Sequence, residues 1–363
     1  MTAQPRSSCL RTGGSARSIP RTGSERRADT VERADPPARP PLAAAAAELA
    51  AHPAGRPVLG PACEAAGRAM VWRMDTFPLG ALSVHRIGFG AMQLPGSGVM
   101  GPPRDHDEAI QVLRRAVELG VDHIDTALFY GPRVSNELIR EALHPYPEDL
   151  VLVTKVGAYR DEVGNWLPAQ RPEQLREQVE ANLTTLAIER LGAVNLRLMD
   201  HPEGPADQHV RLEDQLAELV ALREEGKLAG VGVSTAGRAQ VELAIELADI
   251  VCVQNAFSLL DRSDADVLEL CHERGIAYVP YFPLGSAFPH LPKVSDNPVV
   301  QSVAARRDAT AAQVGLAWLL AHRDNILLIP GTSRVAHLEQ NLAAAALTLS
   351  ETDLAELEEA VAG

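Results

Sequence analysis

A closed barrel of eight parallel strands wrapped by helices, (β/α)8, is the fold class this 363-residue sequence predicts. A hairpin precedes the barrel and an extra helix follows it. Three observations carry the prediction. Apolar strand-like runs alternate with helix-period segments from Arg86 onward, the mark of parallel α/β architecture. Eight such units fit between residues 86 and 361, close to the ~250 residues usual for this barrel. Finally, no G-x-G-x-x-G turn follows the first strand, as an open dinucleotide-binding sheet would require.

The elements follow in order. "FPLGALSVHRIGFG" (77–90) reads as a short hairpin and then a strand closing on Gly88 and Gly90. In 106–120, Ile110, Leu113, Ala116 and Val117 share a helical face that stops at Gly120. Strand 123–128 and helix 134–144 come next, then strand 150–157 and a helix over 172–187 with Pro172 near its start. Strand 193–200 precedes helix 212–227. Strand 228–234 and helix 238–248 form the fifth unit, 249–257 and 264–275 the sixth, and strand 276–282 opens the seventh. Segments 297–308 and 311–323 are helical, with Ala309-Thr310 as a cap between them. Strand 325–331, helix 336–347 and a last helix over 351–361, capped by Ser350 with Asp353 three residues on, complete the chain. "LVLVTKVG", "IVCVQN" and "NILLIPG" are near-continuous apolar runs, as buried parallel strands should be.

Charge and composition exclude several classes. The chain carries a formal charge of −14, which disfavours nucleic acid as a general partner. No run reaches the ~18 apolar residues of a membrane span, and a cytoplasmic location is expected. Residues 1–73 differ from the rest: 11 Arg, no Lys and 6 acidic residues give +5, leaving −19 for the remainder. This Pro-, Ala-, Gly- and Ser-rich segment lacks the apolar content to offset ordering entropy and is expected to be disordered. Residues 1–22 fit a transit peptide, whereas Glu25, Asp29, Glu32 and Asp35 do not. Folded patterning begins beside Met70 and Met74, which makes either a candidate functional start and 74–363 the barrel domain. Of the four cysteines, Cys252 and Cys271 are expected to be reduced, buried thiols, and no metal-ligand spacing occurs.

A barrel of this kind gathers its functional groups at the C-terminal strand ends. Asp125 and Thr126 end the second strand, with Tyr130 five residues past the aspartate; Thr154 and Lys155 end the third. A lysine closing an apolar strand needs a partner, and Asp125 on the neighbouring strand supplies one. A plain Lys–Asp bridge would satisfy both residues. Tyr130 adds a chemical use: a nearby ammonium favours phenolate, lowers the phenol pKa and makes tyrosine a usable general acid.

"GVDHIDTALFYG", "LVLVTKVG" and "NILLIPGTSRVAHLEQN" together resemble, in order and on the expected strands, the signature segments of the aldo-keto reductases. The resemblance covers about 76–361. It implies a barrel that binds NADPH and passes hydride to an aldehyde or ketone carbon. Residue by residue, it makes Tyr130 the acid, Lys155 the group that lowers its pKa, and Asp125 the holder of Lys155. Ser234 and Gln254 resemble ligands of the nicotinamide carboxamide, although Thr235 stands where the family has Asn. Tyr281 resembles the aromatic that stacks on the nicotinamide, or serves as a core aromatic; Pro283 and Leu284 follow it on the cofactor side. Gly331, Thr332 and Ser333 precede a helix N-terminus suited to phosphate. Ser333 and Arg334 would favour NADPH over NADH, and Gln340 with Asn341 resemble adenine-side contacts.

One strand departs from the family pattern. "NLRLMDHP" puts Asp200 in the column of the family's strand-four histidine, with His201 one step late. Leu196 and Leu198 suit the barrel interior, so alternation gives Asp200 their inward parity and turns His201 away, unless a β-bulge at the strand tip brings His201 back. A carboxylate there would oppose charge developing on a carbonyl oxygen. Within the family, "QLPGSGVMGPPRD", "VNLRLM", "IVCVQN" and "NILLIPGTS" are similar to a branch of NADPH-dependent pyridoxal reductases, which implies pyridoxal as a substrate. Trp166 either walls the pocket or packs its own loop. Two other readings stand beside the reductase: an NADPH-binding sensor barrel with weak turnover, and a phosphate-binding isomerase or aldolase with Lys155 as Schiff base. A small-molecule carbonyl substrate and a monomer are expected.

Overall fold

The computed structural model describes residues 75–199, 205–285 and 292–360. The expected disorder of 1–73, the proposed starts at Met70 and Met74, and the orientation of Asp200 and His201 lie outside the described residues. An antiparallel hairpin, β1 (Thr76–Leu79) and β2 (Leu82–His85), comes first and turns through Gly80 at φ +66°. Leu79 and Val84 pack with Val153, Ala193, Cys252, Ala277, Val279 and Leu327, so the hairpin plugs one end of the barrel interior.

The parallel strands are β3 (Phe89–Gly90), β4 (His123–Asp125), β5 (Val151–Val156), β8 (Leu191–Arg197), β9 (Leu228–Ser234), β10 (Cys252–Gln254) and β11 (Ala277–Tyr278). They lie side by side in that order. The predicted eighth strand closes the ring as a short ladder rather than a long one. Ile326 bridges Tyr278 of β11, and Leu328 bridges Ile87 just ahead of β3, both parallel. Backbone bonds from Gly88 N to Leu328 O (2.8 Å) and from Leu327 N to Tyr278 O (2.9 Å) join both edges.

Helices cover the outside. Along the first half run α1 (His106–Glu118), α2 (Val134–Leu143), α3 (Pro172–Leu186), α4 (Leu212–Glu224), α5 (Arg238–Ala248) and α6 (Ala265–Glu273). α7 (Pro298–Arg306), α8 (Ala311–His322), α9 (Val335–Ala343) and α10 (Glu351–Glu359) complete the set. The two caps expected from the sequence form, Thr310 with Gln313 and Ser350 with Asp353 making capping boxes, and Asp105 adds a third by accepting from Glu108 N at 3.0 Å. One element escaped the sequence reading. β6 (Ala158–Arg160) and β7 (Trp166–Pro168) form an antiparallel excursion beyond the C-terminal end of β5.

The faces of β8 reverse the expectation. Val194, Leu196 and Leu198 pack in the core between sheet and helices. Ala193 lies in the barrel interior, where Asn195 accepts a hydrogen bond from Cys252 Sγ at 3.2 Å. The inward residues are therefore the odd-numbered ones, and the parity argument that pointed Asp200 inward falls with its premise. The physical reason is that a parallel barrel strand is buried on both faces, so apolar residues do not mark the inside.

Candidate active site

At the C-terminal mouth, the strand ends bring three predicted residues together. Asp125 from β4 and Lys155 from β5 form a buried ion pair between Oδ1 and Nζ. Lys155 Nζ also donates to Thr126 O at 3.3 Å. The second carboxylate oxygen, Oδ2, accepts from Gln254 Nε2 at 3.0 Å. Both oxygens of Asp125 are thus engaged. Burial works against the Lys155 charge, but Asp125 and Tyr130 together outweigh it, and the Lys155 pKa is raised. Tyr130, in the turn after β4, is 4% exposed. Its ring centroid lies 5.1 Å from Lys155 Nζ.

The phenol departs from expectation. Burial pushes the Tyr130 pKa above its ordinary value; the Lys155 charge pulls it down, and Asp125 pushes it up again. The expected net lowering by Lys155 does not hold in the free protein, because the ammonium is shared with a carboxylate and the ring is out of water. Tyr130 is consequently a fully protonated donor at neutral pH.

Beneath this group, a buried chain of hydrogen bonds fixes the two strand ends. Thr126 donates to Asn136 Oδ1 (2.9 Å), Asn136 to Asn182 Oδ1 (2.8 Å), and Thr154 to the same Asn182 oxygen (2.8 Å). The outward side chains beside Asp125 and Lys155 are therefore pinned to α2 and α3, which sets the backbone from which the inward pair projects.

A cavity of about 330 Å³ opens above the ion pair. Its wall includes Asp125, Tyr130, Lys155, Gln254, Tyr281, Pro283, Leu284, Gly331 and Asn341 from the predicted set. Ser234 is buried at the end of β9, with its Oγ 3.5 Å from Thr235 Oγ1. Thr332 is buried, and its hydroxyl accepts from Arg334 N at 3.1 Å. Ser333 and Arg334 line a second hollow of about 500 Å³ with Met92, Trp166 and Phe282. Gln340 is exposed on α9 and off the cavity wall.

Two observations fit a phosphorylated dinucleotide here. The nine-residue helix α9 has no side-chain cap at its start, so its first N–H groups are open to an anion. Gln254 Oε1 is buried without a hydrogen-bond partner at the cavity wall, where a primary amide N–H would satisfy it. Gly90 and Gly331 let the floor of the cavity close. A Cβ on Gly90 would sit 2.4 Å from Ile329 O, and one on Gly331 would sit 2.5 Å from Gly90 O.

The sequence reading missed several residues. Lys293 and Ser295 line the cavity from the stretch between the seventh strand and the helix that starts at 297, to which the sequence pattern assigns no element. Phe282 lies between Tyr281 and Pro283 at φ +57° and borders both hollows. Asn255 pins the turn after β9 by accepting from Ala236 N (3.1 Å) and donating to Ala236 O (2.8 Å). Only Asn255 left a signal, a polar residue at a strand end. Cys252 and Cys271 are buried free thiols, each pushed up to about 12 by burial, and neither joins the site. Among the described residues, no helix is long and apolar enough to cross a membrane.

The chain matches the Aldo/keto reductase family over residues 86–362. Pyridoxine 4-dehydrogenase of Escherichia coli (strain K12) is 48% identical over 285 residues, 78% of this chain and 97% of that protein. An uncharacterized oxidoreductase of Schizosaccharomyces pombe is 36% identical over 78% of this chain and 89% of its own length. Among solved structures, a thermostable aldo-keto reductase in complex with the inhibitor epalrestat superposes with a TM-score of 0.67 at 29% identity, over 79% of this chain and all of that one. An aldo/keto reductase of Klebsiella pneumoniae solved with NADP and acetate, at 24% identity, shares the fold over 76% of this chain and 91% of that one, with a TM-score of 0.64. By strand order, by the matched region and by these relatives, the chain belongs to the aldo/keto reductase family.

Proposed function

We propose that the protein is an NADPH-dependent reductase that converts an aldehyde or ketone to an alcohol, with Tyr130 as proton donor and pyridoxal as a substrate. The observation that carries the reading is the placement of Tyr130, Lys155 and Asp125 on the wall of one cavity whose far end reaches Gly331 and Asn341. The 48% identity to a protein named pyridoxine 4-dehydrogenase supports the substrate.

NADPH, when bound, supplies the hydride to the carbonyl carbon. Tyr130 gives its hydroxyl proton to the carbonyl oxygen as charge gathers there. Lys155 stabilises the phenolate that remains, and solvent reprotonates it. Asp125 keeps Lys155 charged and in place, and Gln254 holds Asp125 by its other oxygen. Ser234 and Gln254 would hold the carboxamide, and Tyr281 would stack on the ring. Pro283, Leu284, Gly331, Thr332 and Ser333 would hold the phosphates, with Gln340 and Asn341 at the adenine. Asp200 keeps a role in this scheme through its sequence column alone.

The test follows NADPH absorbance with the purified protein and a panel of carbonyl compounds including pyridoxal. The expected result is turnover that Tyr130→Phe lowers at least ~100-fold while NADPH binding, measured by fluorescence, persists. Tight NADPH binding with no oxidation by any carbonyl would instead support the sensor reading and reject the reductase.

A further inference from the structure

Arg197 is the last residue of β8 and continues its inward face one step above Asn195, which pairs in register with Lys155. Its own register partner is Ser234 of β9. The side chain is therefore at the barrel mouth, one level above the Lys155 ammonium, and its charge acts to lower the pKa of Tyr130. The guanidinium is held flat: it stacks 4.9 Å from the centroid of Trp166, while Arg160 covers that ring at 4.3 Å. Trp166 in turn packs edge-on against Phe129, 5.3 Å away, and Phe129 against Tyr130, 5.4 Å away. This packing ties the guanidinium to the proton donor through two aromatic rings.

Among the described residues, the cation has no counter-charge. Arg160 donates from Nε to the carbonyl of Gly164 (2.9 Å) and from Nη2 to that of Gly98 (3.1 Å), and its Nη1 is buried without a partner. Arg197 makes no ion pair with any described carboxylate, and its Nε is buried without a hydrogen-bond partner. A buried guanidinium donor left open is costly unless something completes it. The phosphate-suited segment does not qualify. β8 is the fourth barrel strand and residues 326–328 the eighth, so Arg197 and Gly331–Ser333 stand on opposite sides of the ring.

We infer that Arg197 is a specificity residue that binds an anionic oxygen substituent on the carbonyl substrate, so that the preferred substrates are aromatic aldehydes carrying a phenolate, carboxylate or phosphate ester. The inference rests on the reductase reading above and narrows its substrate class. A planar guanidinium braced on an indole is preorganised for such a group.

The experiment compares 4-carboxybenzaldehyde with its neutral methyl ester, and pyridoxal with pyridoxal 5′-phosphate, in the wild type, Arg197→Gln and Arg197→Lys. Expected is a wild-type preference for the carboxylate in kcat/KM. Arg197→Gln should erase it by about 10- to 100-fold, mostly through KM, and Arg197→Lys should restore part of it. Of the two pyridoxal forms, the one that loses more in Arg197→Gln carries the recognised anion; loss with neither overturns the inference. Equal wild-type rates for the carboxylate and its ester, or a preference unchanged in Arg197→Gln, also overturn it. Should neither aldehyde be reduced, the reductase reading fails separately. Calorimetric binding of 4-(hydroxymethyl)benzoate, in the presence of NADP⁺, then decides the role of Arg197: tighter binding by the wild type than by Arg197→Gln supports it, and equal binding overturns it.

Discussion

Lys155 is buried, charged, and placed so that removing it would leave two problems. Asp125 would lose its counter-ion, and the Tyr130 phenolate would lose its stabiliser. Lys155→Met keeps much of the volume and removes the charge. Its kcat for carbonyl reduction is expected to fall by at least ~100-fold. The pH profile gives a second measure. Tyr130 is raised by burial and Lys155 pulls it down, so the phenol remains protonated from acid through neutral pH, and the reduction rate falls only as pH rises through its elevated pKa. In Lys155→Met that alkaline limb should move further up; an unmoved limb would mean that another group sets it. The pairing of Lys155 with Asp125 was legible in the sequence because an isolated lysine on an apolar strand demands a partner. The pKa direction was not, because it depends on how deeply the ring is buried.

The elements teach where pattern reading succeeds. Helix periodicity located α1, α5 and α7 closely, since each has one apolar face and recognisable ends, and α8, buried all round over residues 314–319, was located by its Thr310 cap. Strand parity failed on β8, where Leu196 and Leu198 face helices and a charged Arg197 occupies the inward series. The β6–β7 hairpin was missed because "AYRDEVGNWLP" carries turn residues and no alternating face. Three carboxylates of the last helix, α10, reach its neighbours: Glu356 pairs with Arg306, Glu358 pairs with Arg262 and accepts from Trp318 Nε1, and Asp353 is the buried one. Asp353 is 2% exposed, accepts from the N and Oγ of the N-cap Ser350, and pairs with Arg306 and Arg307 of the α7 end. Asp353→Ala should cost about 1–3 kcal/mol, seen as a lower denaturant midpoint with unchanged slope. The pKa of Asp353 lies well below the usual carboxylate range, because Ser350 and the two arginines favour the charged form. Its contribution to stability is therefore complete at neutral pH and lost as pH falls below about 4 toward that lowered value.

At the scale of the molecule, the barrel depends on how its ends meet. Eight units were countable in the sequence, but the closing strand is only a few residues of ladder, which no propensity could show. Arg86 reinforces the seam. Its Nε donates to Ile326 O (3.2 Å), and its Nη2 donates to Leu320 O (2.9 Å) and Arg323 O (2.6 Å). Burial lowers its pKa, yet it stays ionised at every pH the fold survives. Arg86→Met leaves three carbonyls unpaired at the junction and should destabilise the barrel by about 2–4 kcal/mol, read as a fall in Tm. A Tm within error of the wild type would place the strength of the seam in its backbone ladder alone.

Phe282 has a consequence for how such a protein can change. It holds a left-handed backbone angle that costs a non-glycine residue about 1–2 kcal/mol, and its ring lies between the main cavity and the neighbouring hollow. Glycine at that position would relax the chain and join the two chambers. A lineage drifting toward bulkier substrates would thus find its first step there, while one that must remain selective has to keep the strained ring.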